Sequence, residues 1–310
     1  MKTPPDFSGG FVFGLALVYL FEMKKFFEKY QPRHIFLGAL GVAAIVTWSA
    51  VFHFDGGRLT VAFLDVGQGD AIFIETPEGN QVLIDGGPNK KVLSELSRVM
   101  PFYDRSIDAL VLTHPQLDHL GGLVEVLRRY DADFVFEPGT KHSIAEFELW
   151  ENLLEEKGVA RILAKRGQII RLSPDIYFEI LSPEPGAFEN KVADLNEVVV
   201  AGRLVYGETE FLFTGDLTKF GEIKILASGS EIQSDVLKVA HHGSKNSSVE
   251  KFLAAVSPKI AVIMSGKNNR YGHPNAETLL KLEKIGAQIF RTDTSGTIIL
   301  QSDGKNVFVK

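Results

Sequence analysis

The chain has 310 residues, 45% of them hydrophobic, with 33 Lys and Arg against 39 Asp and Glu and a net charge of −6. That length suits one large domain or two ordinary ones, and 23% charged residues with 23 phenylalanines exclude a disordered or collagen-like chain. The lack of cysteine excludes disulfide scaffolds, thiolate metal sites and cysteine nucleophiles.

The first elements are apolar. Residues 7–21 carry no charge, and from Ile35 to Phe54 run twenty residues without Asp, Glu, Lys or Arg. At about 1.5 Å per residue, a helix of that length spans a hydrocarbon layer of roughly 30 Å. Trp48 suits an interfacial anchor. Only Lys2 precedes Pro4, Pro5 and Asp6, which is unlike a cleaved signal peptide. The expectation is a membrane anchor over residues 1–55, with one or two transmembrane helices near 7–21 and 35–54 and membrane lipid as its partner. The connection between them holds Lys24, Lys25, Lys29 and Arg33, so the positive-inside rule places it in the cytoplasm. The remainder is then expected to be extracytoplasmic at the cell membrane. Setting aside residues 1–55 leaves 28 basic and 35 acidic residues, which is no broad nucleic-acid footprint. A polyanionic substrate would need a local patch or bound cations.

Residues 56–310 alternate strand and helix patterns and read as one α/β domain. Strands are expected at Leu59–Phe63, Ala71–Glu75, Gln81–Asp85 and Ala109–Thr113, with helices at Lys90–Met100, Gly121–Tyr130 and Ile144–Lys157. A hairpin follows over Val198–Tyr206 and Glu210–Thr214, turning at Gly207. The tail continues with strands at Asp235–Ala240, Lys259–Met264 and Gln288–Arg291, helices at Ser248–Val256 and Asn275–Ile285, and a final strand pattern from Thr297 to Val309.

Chemistry gathers where these strands end. His114, Asp118 and His119 fall in a turn between a strand and a helix, where two imidazoles and a carboxylate can converge on a cation. Asp216 follows another strand in Thr-Gly-Asp, His241 and His242 a third, and His273 a fourth. Taken singly, each residue is as readily a turn or surface residue. Together, five of the eight histidines lie at the edge where open α/β sheets bind ligands, and that points to a metal site.

The order His-x-x-x-Asp-His, Thr-Gly-Asp and His-His-Gly-Ser resembles the metallo-β-lactamase superfamily. More narrowly, Phe63-Leu64-Asp65-Val66-Gly67-Gln68-Gly69-Asp70-Ala71, Leu83–Gly87, Asp235–Ser244 and Tyr271-Gly272-His273-Pro274 look like the C-terminal domain of the ComEC competence DNA-uptake channels. The resemblance covers Leu59 to Val309. It implies a four-layer αββα sandwich, one or two divalent metals (Mn or Zn, with Mg a further candidate), and a membrane-anchored hydrolase, foremost a phosphodiesterase or nuclease linked to DNA uptake. Its partners would be DNA or another phosphodiester and a separate membrane-channel subunit, because two short spans cannot form a pore. The alternatives are hydrolysis of a small ester or phosphorylcholine-type substrate, and a non-catalytic metal- or DNA-binding domain.

Carried over by residue, the resemblance implies that His114 binds a first metal. Asp118, His119 and His242 would hold a second, with Asp216 bridging and His273 a rival to His242. Asp118 and His241 are the residues expected nearest the chemistry, His241 beside the leaving group. Gln116 stands where the superfamily has a second histidine, and Val199 where the related domains usually have serine. The first site is therefore underfilled, with Gln116 and Asn196 as substitute donors and Ser244 as a further metal or substrate contact. Asp65, Gln68, Asp70 and Asp85 are candidates for orienting the imidazoles. Asp before Gly commonly builds turns, and that reading is favoured for Asp85 and the orienting one for Asp70.

Overall fold

A computed structural model describes residues 32–53, 57–187 and 195–310. The chain divides into two units, Met1–Gly56 and Gly57–Lys310. In the first, helix α1 runs from Pro32 to His53. Its apolar side chains lie open, Phe36 and Ile45 each at 66% exposure. No helix among the described residues is long and apolar enough to cross a membrane. The expected helix over residues 7–21 lies outside the described residues.

The second unit is built on two mixed sheets. The first comprises β1 (Leu59–Phe63), β2 (Ile72–Glu75), β3 (Gln81–Ile84), β4 (Ser106–Val111), β5 (Asp131–Glu137), β6 (Ala160–Leu163), β14 (Ile298–Ser302) and β15 (Val307–Val309), in the order β15-β14-β1-β2-β3-β4-β5-β6. The second comprises β7 (Ile169–Arg171), β8 (Ile176–Ser182), β9 (Ala201–Tyr206), β10 (Thr209–Phe213), β11 (Val236–Lys238), β12 (Ile260–Ile263) and β13 (Gln288–Arg291), in the order β13-β12-β11-β10-β9-β8-β7.

Strand alternation explains the layers. In β1, Val61 and Phe63 face a shared core with Phe178, Phe211 and Phe213 of the second sheet, while Ala62 faces the opposite way. That outer face is covered by α2 (Lys91–Val99), α3 (Leu117–Leu127) and α4 (Ala145–Lys157), which bring Leu96, Leu123 and Trp150 onto it. The outer face of the second sheet is covered by α5 (Lys219–Ser228), α6 (Glu250–Val256) and α7 (Ala276–Lys284), through Ile225, Phe252 and Leu282. The product is an αββα sandwich whose central strands are buried on both faces, which is why those strands read as continuous apolar runs.

Several expectations change. α3 begins at Leu117, so Asp118 and His119 lie in the first turn of a helix and not in the preceding turn. The expected strand from Thr297 is a hairpin of two, broken at Gly304, whose φ of 84° is left-handed. Strands β5 to β8 and helix α5 lay outside the sequence expectation.

Candidate metal centre

The strand pairs β3–β4, β10–β11 and β11–β12 are parallel, so their C-terminal ends lie together at one edge of each sheet. Glycines let the loops at this edge close up. A Cβ on Gly69 would stand 2.1 Å from the Asp118 carbonyl oxygen, and one on Gly122 would stand 1.8 Å from that of Gly86. The Gly-Gln-Gly-Asp loop and the start of α3 can thus approach, and the Asp70 amide donates to the Asp118 carbonyl at 3.3 Å.

Among the described residues, four sets of three donors have their atoms within 4.8 Å of one another: His114–His119–Asp216, Asp118–His119–His242, Asp70–Asp85–His119 and Asp70–Asp216–His242. His119 Nε2 lies 3.4 Å from Asp216 Oδ2. His242 Nε2 lies 3.3 Å from the same oxygen and 3.5 Å from Asp118 Oδ2. Two nitrogens and two carboxylates therefore converge from both sheets. The Nε2 atoms of His114, His119 and His242 and Oδ1 of Asp216 are buried without a hydrogen-bond partner. Such a cluster of orphaned donors is costly unless a cation accepts them, so these residues fit a divalent ion.

The other face of each ring is anchored. His119 Nδ1 donates to Asp85 Oδ2 at 2.7 Å. Thr113 Oγ1 donates to the same carboxylate oxygen at 2.7 Å and lies 3.0 Å from His114 Nδ1. His242 Nδ1 donates to the Met264 carbonyl at 2.9 Å. Each anchor places the proton on Nδ1 and turns the Nε2 lone pair inward, as metal-ligating histidines require. Asp216 and Asp85 act on His119, and Asp216, Asp70 and Asp118 on His242, while burial pushes Asp85 itself up.

Electrostatics follow burial and partners. Burial pushes the His114 imidazole down to about 3, with the His119 charge adding to the fall. Burial also disfavours charge on His119, yet Asp216 and Asp85 hold it well above the ordinary histidine value. His242 is likewise raised by Asp216 and Asp70 against the effect of burial. Burial pushes Asp216 up, but His242 and His119 bring it well below the usual carboxylate range. Any cation entering here must displace protons from two imidazoles. Asp85, His241 and His242 also have positive φ values of 58°, 50° and 56°, a left-handed conformation that costs non-glycine residues roughly 1–3 kcal/mol each and clusters at functional sites.

The remaining candidates separate. His241 is partly accessible, with Nε2 3.7 Å from Asp216 Oδ2. The His273 ring lies 6.0 Å from that of His241 and 6.5 Å from that of His242, outside the ligand-distance sets. Gln116 Nε2 donates to Asn196 Oδ1 at 3.1 Å, so the two amides meet each other. The Ser244 hydroxyl accepts the Asn246 amide within its own loop. Asp65 and Gln68 do not orient the imidazoles. Asp65 pairs with Lys91 at 2.9 Å and caps Gly67, and Gln68 Oε1 accepts the Gly266 amide. Asp85 does more than the turn-building favoured for it, since its carboxylate carries His119. Asp70 pairs with His242 at 3.3 Å. One residue the sequence reading left without a role is Lys238, fully buried and paired with Asp70. A lysine amid the apolar run Val236–Ala240 was the available signal.

Comparison with known proteins agrees with this fold. A family described as the metallo-β-lactamase superfamily matches residues 64–267. The chain is 34% identical to ComE operon protein 3 of Bacillus subtilis (strain 168) over 255 residues, 77% of this chain and 32% of that protein. It is 30% identical to competence protein ComA of Neisseria gonorrhoeae over 248 residues, covering 77% and 31%. The chain thus spans about a third of the length of these curated relatives. Among solved structures, the metallo-β-lactamase fold protein YhfI of Bacillus subtilis superposes with a TM-score of 0.54 at 12% identity, over 79% of this chain and 100% of that one. At that identity the likeness shows the fold alone. The family match over most of the sandwich places the chain in the metallo-β-lactamase superfamily, related to the ComEC-like competence proteins.

Proposed function

We propose that this chain is a metal-dependent phosphodiesterase that acts on DNA, anchored in the cell membrane with its sandwich unit on the extracytoplasmic side. The observation that carries this reading is the convergence of His119 Nε2, His242 Nε2, Asp118 and Asp216 on one another with no other partner for the ring nitrogens. These four residues would hold the cation, zinc or manganese foremost, since a mixed imidazole and carboxylate set suits either. When bound, such an ion polarises a phosphoryl oxygen and activates water at neutral pH. The Asp118 carboxylate would take the proton of the attacking water, and His241 Nε2, on the partly accessible side, would face the leaving oxygen.

The rim favours a polynucleotide over a small ester. Arg270 lies 4.9 Å above the ring of Tyr271, which is 53% exposed and stacks on His273 with centroids 5.9 Å apart. Lys219 lies 5.3 Å from the ring of the exposed Phe220, and Lys245 is exposed between these loops. Aromatic faces interleaved with cations suit stacked bases and phosphates, and they stand out on an acidic unit. The open apolar face of α1 and the competence role in its relatives' names support the anchor and a separate channel subunit as partner.

The test uses the full chain in detergent, treated with chelator and then supplied with manganese or zinc. The expected result is hydrolysis of both an oligonucleotide and bis(p-nitrophenyl) phosphate, lost on chelation and regained with metal, by a protein that stays in the membrane pellet through an alkaline wash. Hydrolysis of the small diester alone would favour a small-ester hydrolase, and tight metal without turnover would favour a binding domain.

A further inference from the structure

The buried lysine at the end of β11 is the group this reading leaves over. Lys238 is 0% exposed. Its ammonium pairs with Asp70 Oδ2, donates to the Gly215 carbonyl at 3.0 Å, and lies 3.9 Å from Asp216 Oδ1. A buried lysine of this kind persists only where carboxylates and carbonyls answer its charge. Here it reaches into the set Asp70–Asp216–His242, one of those a cation could otherwise occupy.

Resting on the metal reading above, we infer that the Lys238 ammonium takes the charge position of a second cation, so that the centre binds one divalent ion tightly, at Asp118, His119, His242 and Asp216. Three observations converge on this. The two oxygens of Asp216 are divided: Oδ2 faces His119, His242 and His241 at 3.4, 3.3 and 3.7 Å, while Oδ1 faces Lys238. For Asp216 to serve two ions through both of its oxygens, Oδ1 would have to be free, and that oxygen already faces a positive charge. Asp70, the other carboxylate at hand, is engaged by the same ammonium. On the His114 side, the only donor set among the described residues joins His114 to His119 and Asp216, both already used by the first ion, and the Gln116 amide nitrogen is turned to the Asn196 side chain. A dication placed there would share Asp216 with Lys238 and would have His114 as its one ligand not shared with the first ion. A fixed charge within a few ångströms at low dielectric weakens such binding on the order of a hundredfold or more. Lys238 is therefore a positioning residue: it sets how many ions the carboxylates accept and holds Asp70 against His242.

The test measures stoichiometry, not turnover. The metal-free full chain in detergent is titrated with Mn²⁺ by calorimetry, and the loaded protein is examined by electron paramagnetic resonance. The expected result is one tight equivalent, a second weaker by on the order of a hundredfold, and the six-line spectrum of an isolated Mn²⁺ ion. Lys238→Met, which leaves Asp70 and Asp216 uncompensated, should bring the second equivalent to within about tenfold of the first and give the coupled spectrum of a pair. Lys238→Gln, which keeps a donor to the Gly215 carbonyl, asks the same question if the methionine variant does not fold. Asp70→Asn combined with Lys238→Met, which removes both charges, should return binding to one equivalent. Two ions of similar affinity in the wild type, or a folded Lys238 variant still limited to one, would overturn the inference. Failure of the wild type to bind any ion tightly would instead sink the metal reading beneath it.

Discussion

His114, in the loop after β4, and His119, five residues on in the first turn of α3, are both fully buried, with ring centroids 4.1 Å apart. Yet their environments oppose each other. Behind His119 stands the Asp85 carboxylate at 2.7 Å and before it the Asp216 carboxylate at 3.4 Å. Behind His114 stands a neutral hydroxyl, Thr113, itself bonded to Asp85. Burial then dominates at His114 and takes it down to about 3, whereas Asp216 and Asp85 overcome burial at His119 and hold it up. Identical side chains at nearly one place are thus given opposite protonation tendencies by the charges around them. The residues in front repeat the difference. Among the described residues, His119 belongs to sets with Asp118, His242, Asp216, Asp70 and Asp85, and His114 only to the one it shares with His119 and Asp216.

The largest effect is expected from removing the carboxylate that serves the His119 side most. Asp216→Ala should lower hydrolysis by a factor of about 10³ or more, since a ligand and the charge balancing the cation are both lost. Metal content by elemental analysis should fall with it, while the circular dichroism spectrum stays that of the wild type. Full metal content in this variant would make Asp216 a mere turn residue and dissolve the comparison.

A smaller effect is expected one layer back. Asp85→Asn keeps the size of the side chain but removes the charge behind His119, and such outer partners are typically worth about 10–100-fold in metal affinity. Titration with zinc should show that loss, and the remaining activity should be recovered at higher metal. Unchanged affinity would mean that the Asp85 carboxylate serves the turn alone.

The mildest change acts on the poorer side. Gln116→His gives His114 a second imidazole and removes the amide bond to Asn196, so zinc affinity on that side should rise by about tenfold, with Lys238 still opposing it. Calorimetry before and after chelation measures this directly. Two tight zinc ions in the wild type would show that the two sides never differed.

Much of the framework was legible because local pattern and tertiary fate agree. β1 and β13 match their expected spans residue for residue, since β-branched and aromatic runs between turn residues have one stable use in this fold. β5 was not legible: Asp131 and Asp133 interrupt its pattern, and its first half stays exposed or half-buried where only its last three residues reach the core. Helix α5 begins with Lys219 and Phe220 exposed, which hides its buried face in the sequence.

The same division runs through the centre. The sequence by itself determined which side chains end the strands, because strand-ending motifs such as Thr-Gly-Asp and His-His-Gly-Ser are local chemistry held by local turns. It also determined that the first motif offers an amide, Gln116, two residues after His114 in place of a second imidazole. Only the tertiary structure decided that Asp85 backs His119, that Gln116 meets Asn196 eighty residues away, and that Lys238 answers Asp70 across the two sheets. Those contacts join residues remote in sequence and depend on the facing of two sheets. The energy of a buried charge is set by what lies within a few ångströms of it in space.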